Sequence, residues 1–189
     1  MGTDTILVVD DDEDILELIE RHLSNRGYEI LTAYNGEQAL SLLDKIKFDL
    51  IITDLKMPKI DGMEVLRRAK EKDPNIEVVI LTGHGTMDSV IEALRDGGAF
   101  DYLNKPLHNI KQLSFVTKKA LERKRLRIEN QQLLDTLRET NTRLKEKLNR
   151  VTRDLNGIMH IVAASTDIEL KQTMVQAIEA IIEVLKADN

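Results

Sequence analysis

Ile51-Ile52-Thr53-Asp54-Leu55-Lys56-Met57-Pro58 starts as a short apolar run and ends in a loop that carries a proline. A run of this length, closed by a turn signal, reads as a buried strand. Asp54 stands where the run stops. In a parallel α/β sheet, ligands bind in the crevice outside the carboxyl ends of the strands. A carboxylate at that edge is placed for chemistry.

The flanking sequence repeats the pattern. Strand-like runs occupy Ile6–Val9, Glu29–Ala33, Leu50–Thr53, Val78–Leu81 and Ala99–Leu103. Between them, Ile15, Leu18, Ile19, His22 and Leu23 share one helical face, as do Ala39, Leu40, Leu43 and Ile46. Weaker helical patterns cover Met63–Lys70 and Met87–Leu94. Gly27, Gly36, Pro74, Gly83, Gly85, Gly97 and Gly98 mark the joins. Five strands alternating with helices predict an α/β fold, a (βα)5 unit whose parallel sheet is covered on both faces.

Composition narrows the chemistry. The 189 residues include no Cys, which excludes disulfides, thiolate metal sites and a thiol nucleophile. Aromatics are 3% with no Trp, so a stacking platform for bases or sugars is not expected. No apolar run reaches the roughly 20 residues of a membrane span, and the first residues lack a signal peptide, so a cytoplasmic location is expected. Residues 1–106 hold 12 basic and 22 acidic side chains, and residues 107–189 hold 15 and 11. A split from −10 to +4 predicts two parts with different tasks, and it argues against nucleic acid as partner of the first.

Four strand runs end in chemistry-bearing residues: Asp10-Asp11, Asp54, Thr82 and Lys105. The parallel topology gathers them at one edge. Adjacent carboxylates at a buried strand end repel, and a hard divalent cation such as Mg²⁺ or a nearby lysine relieves that. An acidic first helical turn is the other reading of this stretch, and it suits Asp12–Asp14. Three carboxylates, a hydroxyl and an ammonium make a kit for phosphoryl transfer, with a carboxylate oxygen attacking phosphorus. Gly83-His84-Gly85 lacks the Gly-Lys-Ser/Thr end of a P-loop. A haloacid-dehalogenase-like phosphatase needs a second carboxylate two residues after the first, where Lys56 stands here.

Ile6-Leu7-Val8-Val9-Asp10-Asp11-Asp12, Ile52-Thr53-Asp54-Leu55-Lys56-Met57-Pro58, Ile80-Leu81-Thr82-Gly83 and Asp101-Tyr102-Leu103-Asn104-Lys105-Pro106 resemble the signatures of the receiver domain of two-component response regulators. Asp61-Gly62-Met63 fits as well. The resemblance covers about residues 4–120. It implies a flavodoxin-like fold with strand order 2-1-3-4-5, for which general accounts of the fold already cite a member of this family. It implies Asp54 as phosphoacceptor from a sensor histidine kinase, with Mg²⁺ held by Asp11, Asp54 and the Lys56 carbonyl, and Asp10 acting mainly through water. It further implies Lys105 paired with the phosphoryl group across a cis Lys105–Pro106 bond, and Thr82 with Tyr102 as a switch pair. Lys56 and His84 occupy the positions that tune phosphoryl lifetime in the family.

Past Pro106 the pattern changes. With Leu113 as heptad position a, a register runs to Val162, weak from Arg123 to Asn130 and strong from Leu134 onward. Leu134, Leu137, Leu144, Leu148, Val151 and Leu155 form the seam, interrupted by Asn141, which favours a two-stranded coiled coil and hence a homodimer. The basic run Lys118–Arg127 reads as a solvated helix face, or as a contact to the acidic domain across a dimer. No helix-turn-helix follows it, so no DNA-binding domain is seen. Thr166-Asp167-Ile168-Glu169 fits a capping box for a last helix. The expected organisation is a receiver over 1–120, a long helix over 107–164 and a helix over 166–187. Ile161–Asn189 also weakly resembles the opening of a GAF domain, and the alternative is a regulatory N-terminal fragment of a larger enzyme or sensory protein.

Overall fold

The computed structural model describes residues 3–83, 94–95, 98–107, 109–164 and 168–187. Its strands are β1 (Thr5–Val9), β2 (Glu29–Ala33), β3 (Leu50–Asp54), β4 (Glu77–Thr82) and β5 (Asp101–Asn104). Its helices are α1 (Glu13–Ser24), α2 (Gly36–Lys45), α3 (Gly62–Lys72), α4 (Ile110–Ala164) and α5 (Ile168–Ala187). The expected helix Met87–Leu94 and His84 lie outside the described residues, Leu94 excepted, as do Thr166 and Asp167 of the capping box.

All strand pairs are parallel, in the order β2-β1-β3-β4-β5. The strands turn alternate side chains to two cores, as a period of two requires. Leu7, Val9, Ile51, Val78 and Ile80 pack with residues of α2 and α3. Ile6, Val8, Leu50, Ile52, Val79 and Leu81 pack with Leu16, Ile19 and Leu23 of α1 and with Leu113, Val116, Ala120 and Leu121 of α4. Strands β3 and β4 are buried along their whole length, which explains the apolar runs Leu50–Ile52 and Val78–Leu81 within them. Asp12, Asn35 and Asp61 cap α1, α2 and α3 by accepting from backbone N–H groups of the first turn.

Three expectations are corrected. Strand β4 opens at Glu77, not Val78, because this carboxylate is buried within the strand. Strand β5 opens at Asp101, two residues late. The first heptad positions, Leu113, Val116 and Ala120, are not part of a free seam, because they are core residues of the α/β unit.

The chain divides into two compact units, Met1–Gln131 and Gln132–Asn189. In the second, Leu134, Leu137, Asn141, Leu144, Leu148 and Val151 are exposed and Leu155 is half-buried. Val162 and Ile178 are buried. Among the described residues, no helix is long and apolar enough to cross a membrane.

Candidate functional site: an acidic cluster at the carboxyl edge

Asp54 is the last residue of β3, and Asp10 follows β1 directly. Both are buried. Lys105, just past β5, sends its Nζ to 2.7 Å from Asp54 Oδ2 and 2.7 Å from Asp10 Oδ2. One ammonium therefore bridges the ends of two neighbouring strands. The Lys105 N–H donates to the Thr82 carbonyl at 2.7 Å, which ties the lysine to the end of β4. The Lys105–Pro106 peptide is cis.

Local backbone holds each carboxylate. Asp10 Oδ1 accepts from the Asp12 N–H at 3.0 Å, and Asp54 Oδ1 from the Lys56 N–H at 3.4 Å. Asp11 is exposed, yet it offers an oxygen that lies, with oxygens of Asp10 and Asp54, within a mutual 4.8 Å. Lys56 is exposed beside them. An open hollow of about 720 Å³ is lined by Asp11, Leu55, Lys56, Met57, Pro58, Asp61 and Met63. Tyr102 is half-buried against the α2/α3-side core.

The electrostatics follow from this crowding. Burial raises the Asp10 carboxyl above its ordinary range; Lys105 and the Asp12 N–H lower it, and the Asp54 charge raises it further. Burial also works against the Lys105 charge, but hydrogen bonds and charges from Asp10 and Asp54 outweigh it, so the ammonium is held above its ordinary range. Three carboxylates against one ammonium leave excess negative charge among oxygen donors. That donor set fits a hard divalent cation, which Asp10, Asp11 and Asp54 would hold.

Because the folded pKa of Asp10 is raised, its contribution to stability is present below the unfolded pKa and lost as pH rises through the folded one. Asp10→Asn is therefore expected to stabilise the fold at neutral pH in chelator. The wild type should close that gap as the pH is lowered through the raised Asp10 range. Urea denaturation at the two pH values reads it, and a destabilised variant would refute it.

Gly62 is part of the site through what it lacks. A Cβ there would lie 2.1 Å from the Asp54 carbonyl oxygen, and the Gly62 N–H donates to the Leu55 carbonyl at 3.0 Å. The start of α3 is thus pressed against the backbone of Asp54. Among the sequence candidates, the structure brings Asp10, Asp11, Asp54 and Lys105 together, and the end of β4 at Thr82 adjoins Lys105 through its carbonyl.

The family model for the response regulator receiver domain matches residues 6–117. This chain belongs to the response regulator receiver family. The receiver is 40% identical over 121 residues to the transcriptional regulatory protein ZraR of Klebsiella oxytoca, a match covering 64% of this chain and 27% of that protein. It is 37% identical over 121 residues to the sporulation initiation phosphotransferase F of Bacillus subtilis, covering 64% of this chain and 96% of that protein. A receiver domain protein from Clostridium thermocellum superposes with a TM-score of 0.61 at 42% identity, over 65% of this chain and 98% of that one. By contrast, the chain spans 23% of the transcriptional regulatory protein GlrR of Escherichia coli, about a quarter of such regulators.

Proposed function

We propose that this receiver accepts a phosphoryl group on Asp54 from a phosphohistidine of a sensor histidine kinase. The bridging of Asp10 and Asp54 by Lys105, each at 2.7 Å, carries this reading. In the step, a carboxylate oxygen of Asp54 forms a bond to phosphorus. The P–N bond breaks, and its electron pair stays on the imidazole nitrogen of the donor. Lys105 follows the negative charge from the carboxylate to the phosphoryl oxygens, and the Thr82 hydroxyl donates to one of them. Asp11, Asp54 and the Lys56 carbonyl would hold Mg²⁺, with Asp10 acting mainly through water, and the ion would supply further positive charge toward those oxygens. Tyr102, three residues before Lys105 and half-buried, is the second member of a switch pair with Thr82.

The test is incubation of the full chain with phosphoramidate and Mg²⁺, followed by intact mass and peptide mapping. A single phosphoryl adduct on Asp54 is the expected result. No adduct, or one elsewhere, overturns the reading.

Lys56 and His84 are proposed to lengthen the life of the adduct by shielding the path of the attacking water. Lys56→Ala is expected to speed its hydrolysis several-fold. Decay of the adduct by mass measures this, and an unchanged or slower decay contradicts it.

Output runs through α4. The exposed heptad residues Leu134, Leu137, Leu144, Leu148 and Val151, with Leu155 and with Asn141 as a polar register mark, support a two-stranded coil between two copies. Leu144→Asp should then convert a dimer to a monomer by sedimentation equilibrium; a wild-type monomer sinks the idea. The domain plan that goes with this is a receiver over 1–120, a helix continuing to 164 and a last helix over 166–187, in the cytoplasm. A second reading, a regulatory segment of a larger protein, is favoured by the length of regulators such as ZraR.

A further inference from the structure

A second charge cluster lies at the amino edge of the sheet, opposite Asp54. Glu77 opens β4 and is fully buried. Its Oε1 is 3.0 Å from Arg123 Nε and 3.5 Å from an Arg127 guanidinium nitrogen. Its Oε2 is 3.8 Å from Lys70 Nζ. Lys124, also buried, donates to the Phe48 carbonyl and to Asp49 Oδ1, both at 3.0 Å, and lies 3.6 Å from Asp73 Oδ2. Arg125 pairs with Asp4, and Arg123 lies 5.0 Å over the Phe100 ring. Within the basic run Lys118 and Lys119 are exposed, but the stretch Arg123–Arg127 is not waiting for a second protomer. It is engaged within its own chain.

The acids of this cluster have a common origin. Asp4 precedes β1, Asp49 precedes β3 and Glu77 opens β4, three adjacent strands. At the far ends of the same strands stand Asp10-Asp11, Asp54 and Thr82. The strands have five or six residues. At ~3.3 Å per residue the two clusters are roughly 15–20 Å apart, joined by buried, hydrogen-bonded strands. One turn of α4 therefore contacts the feet of the strands whose heads form the phosphoryl site.

We propose that Arg123–Arg127 is a latch on the amino edge, closed by Glu77, Asp49 and Asp4, and that a phosphoryl group on Asp54 loosens it. This rests on Asp54 being the acceptor. The phosphoryl oxygens stand beyond the carboxylate that Lys105 already meets at 2.7 Å, so the ammonium follows them off the Asp10–Asp54 bridge and the Thr82 hydroxyl turns toward them. Lys105 and Thr82 are already tied by the 2.7 Å backbone bond, so the pull acts along β4, whose first residue is Glu77. An ion pair to a buried carboxylate loses most from a small shift, because no water replaces the lost partner. Loosening would free the segment that leads into the exposed heptads.

Amide hydrogen exchange on the full chain, with and without Mg²⁺ plus beryllium fluoride, tests this. Residues 54–58 report occupancy of the site. Expected on loading is exchange about fivefold or more faster over 121–131, with 113–120 unchanged. The Arg123→Gln/Arg127→Gln variant lies on the helix and spares Glu77. It should show the faster exchange without fluoride and gain little on loading. If 54–58 respond while 121–131 stay constant or slow down, the latch is overturned and the acceptor reading stands. If 54–58 do not respond, the acceptor reading fails and the coupling falls with it. If the variant keeps wild-type protection over 121–131, the latch is overturned regardless of loading.

Discussion

Asp54→Asn is expected to reduce phosphoryl incorporation by about a thousandfold or more, below detection by intact mass, while leaving the fold in place. The substitution is isosteric. It keeps an oxygen and adds two N–H donors at the end of β3, where Asp54 is buried. What it removes is the charged nucleophile. A neutral carboxamide oxygen is a poor attacker of phosphorus, and the amide cannot complete the three-carboxylate set with Asp10 and Asp11. Lys105 keeps Asp10 as a partner at 2.7 Å, so the ammonium is not left unpaired. Divalent binding should therefore weaken, read by the Mg²⁺ dependence of the melting temperature, while the urea midpoint in chelator holds or rises. A variant that still labelled at full extent would place the acceptor elsewhere.

The fold was legible because its central strands carry the apolar runs Leu50–Ile52 and Val78–Leu81 and its helices are periodic. The site was legible for a related reason. Asp54, Thr82 and Lys105 each read as ordinary alone, and only the parallel topology brings them to one edge. Two things escaped. The strand run reads as Val78–Leu81 without Glu77, because a carboxylate at a fully buried strand position is rare without partners. Those partners lie far along the chain: Arg123 is 46 residues away, and Lys124 is 75 residues from Asp49. Heptad bookkeeping then counted Arg123 and Arg127 as weak seam positions. They are side chains aimed at their own domain. The heptad face is therefore one stripe with two uses, core and clasp up to Arg127, exposed from Leu134 to Val151. A helix pattern shows which residues share a face and does not show what covers it.

Gly62→Ala should be the most damaging single methyl in the receiver. Helix propensity alone predicts the opposite, since Ala is favoured over Gly in a helix by up to about 1 kcal/mol. Sterics decide here. The new Cβ would sit 2.1 Å from the Asp54 carbonyl oxygen, 3.0 Å from its carbonyl carbon and 3.1 Å from Leu55 Cα. All three atoms are backbone, so no rotamer change relieves the contact. Either α3 lifts from the sheet or the end of β3 shifts. The first route breaks the Gly62–Leu55 hydrogen bond and opens the core around Val65 and Leu66. The second moves Asp54 away from Lys105. The expected loss is about 3 kcal/mol of stability by urea denaturation, at the upper end of overpacking costs. Labelling should fall with it even where the protein remains folded. Gly157→Ala is the matched control, since nothing lies within 4 Å of its added Cβ. That variant should be neutral or slightly stabilising. Equal effects at the two positions would mean that the approach of α3 to the Asp54 backbone is not needed, and that the site is held by its side chains alone.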